Sequence, residues 1–489
     1  MQLNYTTSYW ASAFGYSDIA TLALVNMGGT TRLVFSPRHA NDQSSIVIAS
    51  STSASPQGNI VYAVQSAPNY AWQDANGAAR MFNLSAFNAP MKMNTFLANG
   101  TPNATQYVIP PEGGHINDAT AAQVLEFAAG DWIAIARRSD DGLTLHQLSG
   151  TGTLTAQVQI EDTDKTYVQT ISDTATLARG NDQLLLTISA LENGISSFLI
   201  SANGTSTWID SYGAQNGMAV SGLAMLKTVQ IGGVDFAILA ATNSSSLTVL
   251  RVNEMGVFFE TDHVFDTGAT RFAKLAAFDM FVAQGRVFVV AAGTDIGMTL
   301  LELLPDGTLS TMQTFVLEGG TGLTAVTAIT AQMLGEDAAI FMVDSGADRI
   351  LRYDLDLGAL GGIIHAAGGA GTAADERVIG SAGNDAVNGA GGADFLHDGA
   401  GLDTMTGGAG ADVFIFTRDG AQDYITDFQD GVDRIDVSAW GRIYTAQSLV
   451  ITATATGANV TYGNEVLTIT SHNGAPLGSA QLTDADFIF

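Results

Sequence analysis

The chain has no cysteine in its 489 residues. Disulfides, thiolate metal sites and a cysteine nucleophile are therefore excluded. Basic residues are scarce: 19 Lys and Arg stand against 48 Asp and Glu, a formal net charge of −29. A phosphate surface would repel such a chain, so nucleic acid and anionic membrane are excluded as partners. There is no run of about 18 apolar residues, and no spanning helix is expected. The first residues, Met1-Gln2-Leu3-Asn4-Tyr5-Thr6-Thr7, lack the basic and apolar regions of a Sec-type leader. Export is expected to need another signal. Apolar residues are plentiful at 46%. That content rules out disorder by charge, and the length allows a sizeable core without staples. An acidic chain without cysteine suits either a reducing cytosol or an unfolded route of secretion.

Catalytic signatures are missing too. The zinc-protease pattern H-E-x-x-H is absent, and no G-x-S-x-G elbow or G-x-x-x-x-G-K loop occurs. The seven histidines (His39, His115, His146, His263, His365, His397, His472) stand alone, none with a metal-ligand partner at i+4. They read as ordinary strand or surface histidines.

The charge is unevenly distributed. Residues 361–489 hold 16 Asp and Glu, 4 Lys and Arg, and 22 of the 54 glycines. Asp and Gly rise together there, which marks a domain boundary near Gly358–Gly371. The expected division is 1–360, 361–436 and 437–489.

The first region repeats itself. An apolar β-rich run, a polar turn, an alternating run and a Gly turn recur at Trp132–Gly152, Leu184–Gly204, Phe236–Gly256, Val287–Gly307 and Ala338–Gly358. The closing glycines are spaced by 52, 52, 51 and 51 residues. One step back lands on Gly100, preceded by Met91, Met93 and Phe96; residues 1–52 show no clear match. Each unit reads as four strands, in one copy Ala224–Ile231, Phe236–Ala241, Leu247–Val252 and Val257–Thr261, with Gly232-Gly233 as a hairpin turn. Four short antiparallel strands per unit of about 50 residues form a β-propeller blade. About seven blades are expected, with six or eight open; the rival is a β-solenoid or a row of sandwiches.

From Gly380 the period drops to nine: GSAGNDAVN, GAGGADFLH, DGAGLDTMT, GGAGADVFI. Asp385, Asp394, Asp403 and Asp412 lie nine apart, each followed two residues later by Val387, Leu396, Met405 or Phe414. Gly383, Gly392, Gly401 and Gly410 precede the aspartates by two. Glycines permit positive-φ turns and leave backbone carbonyls pointing inward. Asp supplies hard oxygen ligands, and the apolar residue faces inward as a short strand. With two nonapeptides per turn, Asp385 stacks over Asp403 and Asp394 over Asp412. Each pair, with loop carbonyls, can enclose Ca²⁺.

This segment resembles the RTX nonapeptide family, G-G-x-G-x-D-x-U-x. It departs from the pattern where Ser381 and Ala390 replace the second Gly and Asp398 the first. A degenerate copy at Gly371–Ile379 has Ala374 and Glu376 where Gly and Asp are expected. Residues 416–438 (FTRDGAQDYITDFQDGVDRIDVS) resemble the flank that closes the roll in serralysin-type secreted proteins. That resemblance implies a last calcium site completed by Asp423 and Asp427, with Asp433 and Asp436 as turn caps. The ending Asp484-Ala485-Asp486-Phe487-Ile488-Phe489 looks like a type I secretion signal. Together these imply an all-β chain, a propeller followed by a parallel β-roll with a β-rich end. Such a chain would be exported unfolded by the type I secretion apparatus of a Gram-negative bacterium. It would fold outside on binding several Ca²⁺ ions, secreted or held at the cell surface.

The loops between second and third strands of the repeat units are polar and acidic: 138–141, 191–193, 243–246, 293–295 and 344–348. They differ in length and sequence, so no repeated ligand site is visible. Their charge reads as serving solubility, and Trp132, Trp208 and Phe258 read as core. Two functional readings of different class stay open. The first is a secreted binding, adhesion or surface-assembly protein, whose propeller recognises an extracellular glycan or protein or assembles with itself. The second is a propeller hydrolase, lactonase- or phytase-like, with a catalytic cation held by acidic loops.

Overall fold

Apolar β-formers at alternate positions, punctuated by Gly turns, give strands throughout; the computed structural model is all-β, with a few single-turn 3₁₀ segments. It describes residues 1–10, 19–27, 30–37, 45–48, 60–61, 69–73, 79–83, 91–96, 102–111, 113–149, 153–316, 326–344, 346 and 349–489. Gly100, Gly152, Ser345, Ala347 and Asp348 lie outside the described residues. No helix among the described residues is long and apolar enough to cross a membrane. By contacts the chain divides into two units: Gln2–Ala283 with Val287–Leu355, and Asp356–Phe489 with Met1 and Gln284–Arg286.

Among the described residues the larger unit contains seven four-stranded sheets. Six are formed by consecutive strands. The fifth, for instance, is Leu223–Ile231, Val234–Ala241, Ser246–Val252 and Phe258–Phe265, antiparallel throughout. The seventh takes Val326–Leu334, Asp337–Asp344 and Arg349–Asp356 from the end of the unit and Gln2–Trp10 from its start. This explains why the first residues match no repeat: they supply the outer strand of the last blade. Thr6 Oγ1 donates to Asp354 Oδ2 at 2.7 Å across this join, and the rings of Tyr5 and Tyr353 meet edge to face.

The first strands of successive sheets are neighbours in a closed circle. Ile19–Met27 lies beside Asn69–Gln73, which is followed by Ala119–Leu125, Ile171–Arg179, Leu223–Ile231, Ala277–Ala283 and Val326–Leu334, and the last returns to Ile19–Met27. The unit is a seven-bladed propeller. Its core clusters lie between blades: Leu184, Leu186 and Ile188 pack with Leu223, Leu239 and Leu250, and Leu33 with Phe341 and Val343. A single sheet with two apolar faces is covered only by its neighbours.

The repeated glycine has a packing reason. Gly204, Gly256 and Gly307 sit in the turn between third and fourth strands at φ 83°, 92° and 93°. A Cβ there would meet Trp132 at 2.2 Å, Leu184 at 2.6 Å and Phe236 at 2.7 Å respectively, all residues of the preceding blade. Gly358 holds the same place in the repeat without a left-handed φ, because the chain leaves the propeller there.

Part of the propeller's acidity lies on strands rather than in turns and joins blades. Asp173 Oδ2 accepts Leu226 N (2.9 Å), Asp210 Oδ2 accepts Phe258 N (3.0 Å), Asp262 Oδ2 accepts Leu309 N (2.7 Å) and Asp279 Oδ2 accepts Ala331 N (3.0 Å). Of the three aromatics read as core, Trp132 and Phe258 are buried, whereas Trp208 is 41% exposed on an outer strand.

The smaller unit winds into two six-stranded sheets. One stacks Leu360–His365, Asp375–Ile379, Phe395–His397, Val413–Ile415, Arg434–Asp436 and Phe487–Ile488 in parallel. The other stacks Ala386–Asn388, Thr404–Thr406, Gln422–Phe428 and Glu465–Ser471 in parallel, then turns antiparallel through Gly457–Tyr462 to Val450–Ala453. Val378, Leu396, Phe414 and Ile435 line up in one sheet and Val387, Met405 and Ile425 in the other, all buried between the two.

The glycine packing can be tested by equilibrium urea unfolding. Gly204→Ala should destabilise by about 2–4 kcal/mol, from a left-handed φ plus overpacking on Trp132. Gly232→Ala, also left-handed but with open space around it, should cost only about 1 kcal/mol.

Candidate functional site

The nine-residue period sets the geometry of the roll's turns. The side chains of Asp394, Asp403, Asp412, Asp423 and Asp433 each reach back one full turn and accept the backbone N–H of the acidic residue there, whereas Asp385 Oδ2 accepts Ser381 N and the Ser381 hydroxyl on its own loop. In one column Glu376 N donates to Asp394 Oδ1 (2.8 Å), Asp394 N to Asp412 Oδ1 (2.9 Å) and Asp412 N to Asp433 Oδ1 (3.1 Å). In the other, Asp385 N donates to Asp403 Oδ1 (2.7 Å) and Asp403 N to Asp423 Oδ1 (2.9 Å). The stacking expected for Asp385 over Asp403 and Asp394 over Asp412 is the observed one.

Only half of each carboxylate is used by the ladder. Oδ2 of Asp394, Asp403 and Asp412 is buried without a hydrogen-bond partner. A buried anionic oxygen left in this state is unfavourable unless it is protonated or meets a cation. The turns supply further oxygens. Backbone carbonyls of Ala374, Ser381, Gly389, Ala390, Gly392 and Asp398 all lie within 2.7 Å of where a glycine Cβ of a neighbouring turn would stand. Gly392, Gly401 and Gly410 adopt φ 108°, 116° and 145°, whereas Gly383 is not left-handed. Carboxylate and carbonyl oxygens suit a hard cation such as Ca²⁺, and an imidazole also stands near, with His397 Nδ1 3.7 Å from Asp398 Oδ1.

The flank acids take three different places in the structure. Asp427 is outside the ladder: its Oδ1 and Oδ2 accept Gly407 N (3.0 Å) and Gly408 N (2.8 Å). Asp433 both continues the first column and caps a turn, its Oδ2 accepting Gln429 N (2.8 Å). Asp436 Oδ1 accepts Ser438 N, as a turn cap. Asp398, which reads as a blemish in the motif, is drawn into the site. Asp398, Asp403 and Asp423 are buried and bring carboxylate oxygens within 4.8 Å of one another. It is the one such group of three among the described residues. The signal was the departure itself, an acid where the pattern asks for glycine. In the degenerate copy, Glu376 turns back on its own loop, Oε2 accepting Thr372 N at 3.0 Å.

Burial raises these acids, and their like-charged neighbours raise them further. Asp398 is pushed up to about 8, chiefly by desolvation and then by Asp423 and Asp403. Asp394 rises to about 7, and Asp412 and Asp423 to about 6, again mainly through desolvation. Asp403 and Asp433 are raised as well, from the same cause.

The propeller loops differ. Glu192 Oε2 accepts Gln169 N (2.9 Å) and Asp295 Oδ1 accepts Ala273 N (3.0 Å), each tying the loop to the strand entry beside it. No group of three metal-ligating side chains lies there among the described residues.

A propeller followed by a parallel roll of stacked carboxylates is thus the class of protein that the chain defines. The family described as Peptidase M10 serralysin C terminal matches residues 332–472. The match takes in the nonapeptides and their flank, and it also reaches back over two strands of the last blade. No curated protein matches the chain. Among solved structures, that of BBS1N in complex with ARL6DN, soaked with lead, is similar at 12% identity and a TM-score of 0.46, over 72% of this chain and 97% of that one. The structure of the Dos1 propeller is similar at 9% identity and a TM-score of 0.42, over 70% of this chain and 79% of that one.

Two measurements probe the site. Acids raised in the folded state bind protons that the unfolded state has lost, so apo stability should fall as pH rises from about 4 to about 8. Chemical denaturation of the full chain in chelator across that range reads this slope. Ala390, a non-glycine at φ 67°, should be improved by Ala390→Gly, by about 0.5–1 kcal/mol after the entropic penalty of glycine.

Proposed function

We propose that the chain is a secreted, calcium-loaded protein of the RTX kind. Its roll serves export and folding, and its propeller serves as a binding, adhesion or surface-assembly module. The observation that carries the reading is the ladder, with three buried carboxylate oxygens lacking a donor in turns crowded with carbonyls. Asp385, Asp394, Asp403, Asp412 and Asp423 would supply carboxylate ligands, and the loops of Gly383, Gly392, Gly401 and Gly410 the carbonyls. Asp398 joins Asp403 and Asp423, and Asp427 holds the turn at Gly407 and Gly408.

The physical role of calcium follows from the charge. At low calcium the stacked carboxylates repel one another and resist burial, so the roll resists folding. At the millimolar calcium outside a cell, ion binding supplies folding free energy. The match to the serralysin C-terminal family supports export by a type I apparatus, and with it a Gram-negative source and an extracellular or cell-surface location.

Calcium titration of the full chain, followed by circular dichroism and thermal unfolding, tests the proposal. Calcium should raise the unfolding midpoint and chelator should reverse it. Asp403→Asn and Asp412→Asn should each weaken calcium binding by about ten-fold or more, as ligand charge falls. A roll equally stable with calcium and with chelator at pH 7.5 would overturn the reading.

A further inference from the structure

The nonapeptide 398–406 differs from its neighbours at its first position. Gly389 and Gly407 open the repeats before and after it, and Asp398 opens this one. A Cβ at Gly389 would stand 2.4 Å from Asp394 Oδ2, and one at Gly407 2.4 Å from Asp412 Oδ2. The first position thus adjoins the oxygen that the ladder leaves without a donor, on the aspartate five residues on. In the repeat between, that oxygen is Asp403 Oδ2, and the residue beside it is an acid instead of a glycine.

Asp398 is held in this place from outside its own repeat. Thr417 N donates to its Oδ1 (3.0 Å) and Oδ2 (2.9 Å), and Thr417 Oγ1 donates to Gly399 O. Asp423 joins from the flank, its Oδ1 accepting Asp403 N. The three carboxylates come within 4.8 Å of one another, with Asp403 fully buried, Asp398 2% exposed and Asp423 4% exposed. Anions packed this closely out of water are unfavourable without a cation. The chain offers them little of its own. Among the described residues no Lys or Arg forms an ion pair with any of the three, and His397 Nδ1, 3.7 Å from Asp398 Oδ1, brings at most one positive charge. No other three acids among the described residues come this close.

We propose that Asp398, Asp403 and Asp423 form a calcium site of their own kind, the tightest in the roll and the first to fill as calcium rises. The proposal rests on the reading of the roll as calcium-loaded. It goes beyond the repeat, whose pattern places glycine, not a ligand, at the position of Asp398. The affinity of an oxygen site for Ca²⁺ rises with the number of charged ligands and with their rigidity. Here a third carboxylate joins two of the ladder. All three are fixed by backbone amides: Thr417 N on Asp398, Asp385 N on Asp403 and Asp403 N on Asp423. Ligands held before the ion arrives lose little freedom when it binds.

Equilibrium dialysis of the calcium-loaded full chain against falling free calcium, with bound ions counted per chain, tests this. The wild type should keep one ion after the others have left, its half-release lying at a free calcium about ten-fold or more below theirs. Asp398→Asn keeps an oxygen for Thr417 N but removes the charge, and Asp398→Gly restores the residue of the neighbouring repeats. Both should abolish the one-ion step by weakening that site about ten-fold or more, and leave the other sites in place. Asp436→Asn, which removes a charge from a turn cap of the same roll, should leave the step unchanged. Circular dichroism at saturating calcium shows that each variant is folded; should the asparagine variant fail there, Asp398→Gly reads the same site. A wild type that releases all its ions together, or a one-ion step that survives folded Asp398→Asn or Asp398→Gly, would overturn the proposal and leave the calcium-loaded reading standing. A chain that holds no calcium even at millimolar concentration would overturn both.

Discussion

The fold of the roll depends on one constraint: a carboxylate taken out of water must be given something in return. Asp394, Asp403 and Asp412 receive a single backbone N–H each, on Oδ1, and nothing on Oδ2. That one bond fixes the vertical register between turns. It also leaves the structure dependent on an outside contribution, a proton or a cation. The hydrophobic ladder Val378–Leu396–Phe414–Ile435 is in place beside it, but apolar stacking is indifferent to the buried charge a few residues away. Stability of this unit is therefore a matter of solution conditions as much as of packing.

The propeller is governed by different physics. Its sheets are apolar on both faces and cover one another in a circle, and its close approaches are made where a side chain is missing. Gly204, Gly256 and Gly307 lie against Trp132, Leu184 and Phe236 of the blade before. Carboxylates are used here as well, and several meet a neighbouring blade's amide, as Asp173 meets Leu226 and Asp279 meets Ala331. The acidity of the chain thus has two structural uses, one satisfied internally and one left open.

Much of this was legible in the sequence because both repeats are short-range and periodic. A glycine every 51 or 52 residues implies equivalent turns, and an aspartate every nine implies a stack. What escaped was long-range or off-pattern. The pairing of Gln2–Trp10 with the last blade joins segments more than 300 residues apart, and no local pattern announces such a contact. The deviation at Asp398 hides a buried acid that shares the space of Asp403 and Asp423. Asp433 entered the ladder because the flanking strands Gln422–Phe428 and Arg434–Asp436 continue the two sheets after the nine-residue spacing has stopped. Trp208 alternates like a core residue but lies on an outer strand, where one face remains open to water.

The closing strand of the propeller gives the proposed export a direction in time. If the carboxyl-terminal end leads through the secretion channel, residues 2–10 are among the last of these 489 to emerge. Until then the seventh blade has three strands, and Arg349–Asp356 presents a bare edge. Ring closure then becomes the terminal event of translocation, and a chain arrested midway would display an open propeller beside a finished roll. On that order, the earliest-made strand of the seventh blade would be the one that completes it.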